Sequence, residues 1–227
     1  MHYAPQQQIA LAVSTVIFAL RPHPRTGLSA LWIPLVRRIA QPFDGRWALP
    51  GGWVRDTESL ADAAARDLRE TTALEPAYLE QLYAFGGVDR SPSGRVVSVV
   101  YWALVRPDEA ERVTVGDNVQ WFPADELPEL AFDHNLVVDY ALWRLRTKLE
   151  YSSIARAFLG ETFTLSELRE VHEAVLQKPL DPANFRRQVE PTLIATDAVV
   201  AGGRHRPPRL YRYDEAHLVD NGPLDNR

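Results

Sequence analysis

A glycine-rich loop that leads into an amphipathic helix is the feature that most restricts how this chain can fold. The stretch LPGGWVRDTESLADAAARDLRETTAL covers residues 49–74. Ser59 is a favourable N-cap with an acidic residue three positions later, so the helix is predicted to begin there. Apolar residues recur at every fourth position and should face a core, whereas Arg66, Asp67 and Glu70 lie on another side. Free backbone N–H groups in the loop and carboxylates nearby suit a diphosphate and its divalent cation.

The composition is that of a globular protein with a substantial core, because 46% of the 227 residues are hydrophobic. The sequence contains no cysteine, which excludes a disulfide framework and a cysteine-based zinc site. The apolar run at residues 9–20 has no preceding basic segment and no small-residue cleavage site, so we interpret it as a strand rather than a signal peptide. Because no apolar run reaches membrane-spanning length, we expect a cytoplasmic protein without a membrane partner.

The first two thirds of the chain are predicted to form β-strands around two helices. Runs rich in apolar and β-branched residues mark the strands. The second helix, at residues 132–149, has apolar residues at helical spacing and would close a first domain at residues 1–150. The predicted strands cover residues 10–20, 29–38, 79–87, 95–105 and 119–122.

After residue 150 the pattern changes to short helices followed by a β-hairpin. Thr164 and Glu167 form a capping box, and Asp181 before Pro182 is a typical helix start. A Gly-Gly turn separates two strand-like runs and predicts a hairpin. Three helices and a hairpin are typical of a winged helix-turn-helix domain, which we place at residues 151–227. Two predicted helices cover residues 152–159 and 165–177, and a third begins at residue 181. The predicted strands cover residues 192–200 and 209–213.

Positive charge is concentrated near the C-terminus, although the formal net charge of the chain is -5. Between residues 186 and 212, six arginines and one histidine stand against two acids. Arg186 and Arg187 fall in the first turns of the third helix, which a winged helix-turn-helix domain sets in the major groove, and residues 204–206 fall at the hairpin tip. Arginine binds guanine edges and phosphates, so we predict a DNA-binding surface, with a solvated basic face as the alternative. The candidate DNA-binding residues are Asn184, Arg186, Arg187, Arg204, His205, Arg206 and Arg209.

The loop and helix at residues 49–74 resemble the Nudix signature. That signature reads Gly, five residues, Glu, seven residues, then Arg-Glu-apolar-x-Glu-Glu-x-Gly-apolar. In the Nudix family its glutamates gather magnesium, which prefers oxygen ligands in octahedral geometry. Asp67 is one methylene shorter than the family's glutamate and Thr71 brings no charge, so the resemblance implies a weakened cation site and poor metal-assisted hydrolysis. The matching residues are Gly52, Glu58, Arg66, Leu68, Glu70 and Leu74, and the departures are Asp67, Thr71 and Ala73.

Nearly the whole chain resembles the Nudix-related transcriptional regulator (NrtR) family. The resemblance implies an α+β protein in which a Nudix fold, a mixed β-sheet between helices, precedes a C-terminal winged helix-turn-helix domain. It further implies a repressor of genes for NAD biosynthesis or salvage. The Nudix domain would bind ADP-ribose without cleaving it efficiently, and the ligand would release the operator. The segments that carry the resemblance are residues 43–53, 132–134, 163–165, 184–187 and 204–211.

The candidate ligand-binding residues fall into two groups. The diphosphate region is assigned to the glycine pair and nearby charges, although Arg55 is equally a surface charge and Arg66 equally a partner of Glu70 one turn on. Strand aromatics and a histidine are assigned to the rest of the ligand, with core packing as the alternative for the aromatics and a capping role for the histidine. The first group is Gly51, Gly52, Arg55, Arg66 and Glu70, and the second is Tyr83, Phe85, Tyr101 and His134.

The altered signature leads us to expect no catalytic residues and no required cofactor. Magnesium would at most accompany a bound nucleotide, and Glu70 with Asp67 would form a weak metal site. The expected partners are a palindromic DNA duplex, ADP-ribose or a related nucleotide, and a second copy of the chain, because repressors of this type pair two heads across a palindrome.

Two other functions remain open from the sequence. One is an active Nudix pyrophosphatase that cleaves ADP-ribose or a related nucleotide. The other is a ligand-binding adaptor whose C-terminal arginines meet an acidic protein partner.

Overall fold

A mixed β-sheet with helices on both faces forms the N-terminal part of the protein. The structure is a computed structural model that describes residues 9–74, 76, 78–111, 118–199 and 208–217. Within these ranges the strands are β1 (Ala10–Pro22), β2 (Ser29–Arg37), β3 (Trp47–Ala48), β4 (Gly51–Trp53), β5 (Tyr78–Phe85), β6 (Val96–Val105) and β7 (Val119–Pro123). Their order is β3-β2-β1-β6-β5, with β4 paired to β1 and β7 paired to β2.

Strands β1 and β6 pair in parallel along the middle of the sheet. Their apolar runs are nearly continuous because both faces of a central parallel pair are covered. Val16 and Phe18 belong to the core on one face, whereas Ile17 and Ala19 belong to the core on the other face. Alternation along β1 therefore assigns every side chain in this strand to one of the two layers.

Three helices accompany the sheet: α1 (Leu60–Thr72), α2 (Pro107–Ala110) and α3 (His134–Tyr151). Helix α1 begins where the sequence predicts, because the Ser59 hydroxyl accepts the Asp62 N–H. It ends at Ala73, whose φ of 58° lies in the left-handed region that favours glycine. The Nudix signature has a glycine at this position, and an alanine in the same left-handed conformation places the backbone under strain.

The C-terminal part contains helices α4 (Leu165–Leu176) and α5 (Pro182–Val189) and the hairpin strands β8 (Leu193–Val199) and β9 (Arg209–Tyr213). Thr164 and Glu167 form both hydrogen bonds of the predicted capping box, and Asp181 accepts the Asn184 N–H. These observations and the mixed sheet confirm the predicted fold class.

Several predicted elements need correction. The helix predicted at residues 152–159 is shorter and is a 3-10 helix, Ile154–Phe158, closed by bonds such as Arg156 N–H to the Ser153 carbonyl at 3.0 Å. The short strands β3 and β4 and helix α2 were not predicted. Arg186 and Arg187 lie in the last turn of α5 and not in its first turns, because this helix has only eight residues.

The two parts of the protein share a continuous core at their junction. Phe158 and Leu168 belong to the same buried cluster as Trp102 of β6. Arg146 of α3 donates to the Val175 carbonyl and to the Gln177 side-chain oxygen, each at 3.1 Å. The predicted division after residue 150 therefore falls within the last turn of α3. Across the described ranges no helix combines the length and hydropathy that a membrane span needs.

Candidate functional site

A cavity of about 490 Å³ lies beside the glycine pair, on the face of the sheet that α3 covers. Its volume is in the range of pockets that hold small ligands. The side chains around it come from β1, β4, β6, the loops at residues 38–42 and 90–93, and the start of α3. They include Ser14, Arg38, Gly51, Gly52, Trp53, Arg90, Ser98, Phe132 and His134.

The two glycines leave room for close neighbours, the β1 backbone at Gly51 and the Asp67 carboxylate at Gly52. A Cβ at Gly51 would lie 2.3 Å from the Val13 carbonyl oxygen, because β4 runs against β1 here. A Cβ at Gly52 would lie 2.8 Å from Oδ2 of Asp67, which approaches from helix α1. The Gly-Gly pair therefore lets the loop lie flat between the cavity on one side and the α1 carboxylates on the other.

His134 connects the glycine loop to helix α3. Its Nδ1 accepts the Leu49 N–H at 3.0 Å. Burial lowers the pKa of the His134 imidazole to about 4; Asp133 opposes this shift, whereas Arg90 and Arg38 add to it. The ring is therefore neutral near pH 7 and carries its proton on Nε2, since Nδ1 is the acceptor. A neutral imidazole donor is thus available to a ligand in the cavity.

Two arginines that sequence reasoning missed also line the cavity. Arg90 donates to both carboxylate oxygens of Asp133 at 2.9 and 2.7 Å, which fixes its guanidinium at the start of α3. The Arg38 guanidinium lies over the Phe132 ring at 4.8 Å, and burial lowers the pKa of Arg38. It remains charged at neutral pH because arginine titrates far above this range. These contacts join residues 40 or more positions apart, so no local spacing in the sequence could have indicated them.

Two hydroxyls complete the floor of the cavity. The Ser14 and Ser98 oxygens lie 3.2 Å apart on neighbouring strands and are buried. Each hydroxyl can donate one hydrogen bond and accept others. The cavity therefore combines a charged guanidinium, hydroxyls, a neutral imidazole and aromatic rings, a set that suits a phosphate-bearing sugar with a planar base.

The carboxylates of α1 and the preceding loop surround Arg66. This guanidinium contacts Glu58 through two bonds of 2.9 and 2.7 Å and Asp67 at 2.5 Å, with Glu70 at 3.6 Å. The hydrogen bonds from Arg66 and from the Arg55 backbone lower the pKa of Glu58 to about 2. Burial raises the pKa of Asp67, although Arg66 opposes this shift. Arg66 thus pairs with Glu58 and Asp67, while Glu70 lies farther away and exposed.

This arrangement does not fit a catalytic magnesium cage. Both oxygens of Glu58 are occupied by Arg66 and the Arg55 N–H. Oδ2 of Asp67 is buried without a hydrogen-bond partner among the described residues, and Glu70 is exposed. In the part of the chain that the structure describes, no group of three or more His, Cys, Asp or Glu could hold a metal ion. Magnesium needs several oxygen ligands in near-ideal geometry, and these side chains do not provide them in this arrangement.

The other predicted ligand residues lie away from the cavity. Arg55 is exposed, with its guanidinium 4.0 Å from Glu70. A bulge in β5 between Gln81 and Tyr83 turns Tyr83 and Phe85 toward α3, where both rings contact Tyr140. Tyr101 is buried under α1, and burial raises its pKa. Only Gly51, Gly52 and His134 of the predicted ligand residues line the cavity.

Helix α5 presents a polar face to solvent. Phe185 anchors it from below, with its ring 5.0 Å from His172. Arg186 contacts Glu190 at 3.0 Å, and Arg187 donates to the Asn184 side chain at 2.9 Å, while all of these side chains remain exposed. Arg209 is exposed at the start of β9. The predicted Arg204, His205 and Arg206 lie outside the described residues.

Comparison with known proteins identifies both parts. Residues 12–140 match the NUDIX domain, and residues 155–213 match the NrtR DNA-binding winged helix domain. The fold and these matches define a class of proteins in which a Nudix domain precedes a DNA-binding winged helix.

Within this class, the chain belongs to the NrtR family. It is 33% identical over 190 residues to the ADPR responsive transcriptional repressor NtrR of Acinetobacter baylyi, covering 81% of this chain and 76% of the relative. Shewanella oneidensis NrtR, solved in complex with a 27mer DNA, has a TM-score of 0.75 and 38% identity, covering 91% of this chain and 94% of that one. Its NUDIX domain complexed with ADP ribose has a TM-score of 0.52 and 36% identity, covering 63% and 94% respectively.

Proposed function

We propose that this protein is a cytoplasmic repressor of NAD biosynthesis or salvage genes that leaves its operator when ADP-ribose binds. The observation that carries this proposal is the separation of two features in the Nudix domain. A cavity with polar and aromatic groups lies on one side of β4, and the acids of the Nudix signature are engaged by Arg66 on the other side. Such a site can hold a diphosphate compound without the metal cage that hydrolysis requires.

The cavity provides chemistry for each part of ADP-ribose. The Arg38 guanidinium suits the diphosphate, since arginine pairs well with phosphate oxygens, whereas Arg90 is paired with Asp133. The hydroxyls of Ser14 and Ser98 and the Nε2 proton of His134 suit ribose hydroxyls. Trp53, which is 61% exposed, offers an aromatic face on which adenine could stack. The relatives described above include an ADP-ribose complex and an ADPR-responsive repressor, which supports the same choice of ligand.

The C-terminal domain would read the operator through α5. Its exposed Asn184, Arg186 and Arg187 suit base edges and phosphates of the major groove. One winged helix offers limited contact, so two copies would bind the half-sites of a palindrome about one helical turn or a multiple apart. The complex of a family member with a 27mer DNA supports this mode of action.

Helix α3 offers a route from the ligand to the DNA-binding domain. His134 at its start lines the cavity, and Arg146 three turns later holds the Val175 carbonyl and the Gln177 side chain of the α4 end. Ligand binding would release DNA only if ADP-ribose favours the arrangement of the two heads that cannot bind the palindrome.

The proposal is tested by fluorescence anisotropy of a labelled duplex from the promoter of neighbouring NAD-metabolism genes. The protein should bind this duplex, and ADP-ribose should release it in a concentration-dependent way. Arg38→Ala should bind the duplex normally and require more ADP-ribose for release. A duplex that does not bind, or binding that is indifferent to every nucleotide, would contradict the proposal and favour the adaptor or the hydrolase.

A further inference from the structure

A second cavity, of about 560 Å³, lies where the two domains meet, and we call it the junction cavity. It shares no lining residue with the cavity beside the glycine pair. The Nudix domain contributes Tyr78 of β5 and Arg106, which follows β6. The winged helix domain contributes Arg156 of the 3-10 helix and Arg212 of β9. A ligand in this cavity would therefore contact both domains at once.

Aromatic rings contribute to the lining of the junction cavity. Phe163 is buried, and the centroids of the Phe163 and Tyr213 rings lie 5.2 Å apart. Tyr78 lies on the Nudix side, with its ring centroid 5.8 Å from that of Trp102. Because these rings are packed against other rings, they are ordered before a ligand binds, and they suit a planar group such as a nucleobase.

Two of the three arginines around the junction cavity keep their charge unpaired. The Arg106 guanidinium lies 3.5 Å from Asp108 and 3.6 Å from Glu109. Among the residues that the structure describes, Arg156 and Arg212 form no ion pair and no side-chain hydrogen bond, and both are exposed. They come from different elements and line the same cavity. Two such guanidinium groups suit a phosphate, which arginine binds through parallel N–H donors.

A larger cavity, of about 890 Å³, lies between the β1–β2 turn and α4 and shows the contrast. Arg25 pairs there with Glu126, and Arg169 lies 3.9 Å from Glu173. These charges satisfy each other within the protein. The junction cavity differs because its two free guanidinium groups have no such partner, so we assign a ligand to the junction cavity and not to the larger one.

The carboxylates around the junction cavity narrow the choice of ligand. Glu109 is already engaged, since its Oε2 accepts the Arg106 N–H at 2.8 Å. Glu161 and Glu215 also line the cavity, and both are exposed. They would repel a second anionic group, but they can accept hydrogen bonds from an amino group. The lining therefore suits a compound that has a phosphate at one end and an amino group at the other.

We propose that the junction cavity is a second effector site, which binds a nucleoside monophosphate with an amino-bearing base. The phosphate would contact Arg156 and Arg212, the base would pack on the aromatic rings, and its amino group would face Glu161 and Glu215. The cavity volume is in the range that holds ligands of this size. This site goes beyond the sensing of ADP-ribose. A ligand that favours one arrangement of the two domains would shift their equilibrium by its differential affinity.

Duplex phosphates are a second source of the same chemistry. No residue of α5, the proposed reading helix, lines the junction cavity. Tyr213 pairs with Leu193 at the end of the hairpin opposite to its turn, whereas the predicted wing contacts lie at the turn. These observations favour a free nucleotide over the operator.

Isothermal titration of AMP into the full-length protein tests this site, with ADP-ribose present in excess so that the cavity beside the glycine pair is filled. AMP should bind about one site per chain, with a Kd below about 1 mM. The double variant Arg156→Ala with Arg212→Ala should bind AMP about tenfold or more weakly, because each arginine supplies a charged hydrogen bond. Inosine monophosphate, which lacks the amino group, and inorganic phosphate, which lacks the base, should both bind more weakly than AMP. Arg25→Ala with Arg46→Ala removes the same charge elsewhere and is the matched control.

Each outcome supports or overturns the junction site. AMP that binds only when ADP-ribose is left out would occupy the Nudix cavity and overturn the proposal, as would equal AMP affinity in the wild type and the double variant. Weaker operator binding by the double variant, measured without nucleotide, would assign the two arginines to duplex phosphates and also overturn it. If ADP-ribose itself does not bind, the proposed function fails, while titration of AMP alone still compares the wild type with the double variant. If the double variant misfolds by circular dichroism, Arg212→Ala alone provides the same test at an exposed position of β9.

Discussion

The two domains use arginine in opposite ways. The side chain of Arg66 in the Nudix domain is only 16% exposed and is surrounded by Glu58, Asp67 and Glu70. The side chain of Arg186 in the winged helix is 58% exposed and forms an ion pair with the exposed carboxylate of Glu190. The first charge stabilises the protein's own loop, and the second is available to a partner. Residue type alone does not distinguish these roles, whereas the neighbouring acids do.

The strongest test of this contrast removes the exposed charges. The double variant Arg186→Ala with Arg187→Ala should bind the operator about 30-fold or more weakly, because the proposed function assigns each arginine a phosphate or base contact. Fluorescence anisotropy at several salt concentrations should also show a shallower salt dependence. ADP-ribose affinity should be unchanged, because α5 lies in the other domain.

A matched control uses arginines of the Nudix domain. Arg25 and Arg46 are exposed and form ion pairs with Glu126 and Glu129. Arg25→Ala with Arg46→Ala removes the same charge and should leave operator affinity nearly unaltered. Equal losses in both double variants would mean that net charge, and not α5, determines DNA binding.

Acid should weaken both domains, through the buried His134 in the Nudix domain and the partly buried His172 in the winged helix. Burial lowers the pKa values of His134 and His172 to about 4, below the ordinary value of 6.5. Between these values the unfolded chain binds more protons, so stability is complete near pH 7 and falls as the pH drops from about 6.5 to 4. Each histidine should cost about 2 kcal/mol at pH 5 relative to pH 7.

Urea unfolding at pH 7 and pH 5 measures these contributions. The free energy of unfolding of His172→Leu should fall less on acidification than that of the wild type. This difference should be confined to the winged helix, where the His172 ring packs against Phe185. His134→Gln should show the same in the Nudix domain. Variants that lose as much as the wild type would show that neither histidine is held neutral by its surroundings.

A smaller effect is expected at the glycine loop. In Gly52→Ala the new Cβ would meet Asp67 Oδ2 at 2.8 Å and push this carboxylate away from β4. Isothermal titration should show ADP-ribose affinity reduced about tenfold, a typical consequence of overpacking. Gly86→Ala, where the nearest atom would lie 3.6 Å away, is the control and should bind normally. If Gly52→Ala also changed operator affinity in the absence of ADP-ribose, the glycine loop would affect both domains, which would contradict the contrast between them.

The smallest effect should follow from releasing Arg186. Glu190→Gln removes the carboxylate that Arg186 contacts at 3.0 Å and leaves the helix otherwise intact. Operator affinity should rise about two- to fivefold, since exposed pairs are weak and the removed charge repels phosphate. Unchanged or weaker binding would show that Glu190 holds Arg186 in its DNA-binding orientation.

The sequence predicts the fold well because its signals are local. The Ser59 cap, the Thr164 capping box and the apolar strands each depend on neighbouring residues, and the structure contains all of them. The sequence predicts the cavity beside the glycine pair only in part, because its other groups meet over long distances in the chain. Arg90 pairs with Asp133 at the start of α3, and no spacing of residues in the sequence predicts this ion pair.

The aromatic residues show the same limit. The sequence assigns Tyr83 and Phe85 to the ligand, but the bulge in β5 turns them toward Tyr140, and no alternation pattern reveals a bulge. Tyr101 is buried in the core, which agrees with the alternative that aromatic residues in strands serve core packing. The sequence identifies which acids belong to the signature. Their ion pairs with Arg66 depend on side-chain geometry, which the sequence does not show.

The central claim is that the Nudix domain senses ADP-ribose without destroying it. One measurement tests it directly: operator release is followed by anisotropy while the same sample, with magnesium present, is analysed for ADP-ribose by chromatography. We expect release that persists with the ADP-ribose concentration unchanged. Turnover above about 1 per second, with the operator rebinding as the compound is consumed, would contradict the claim.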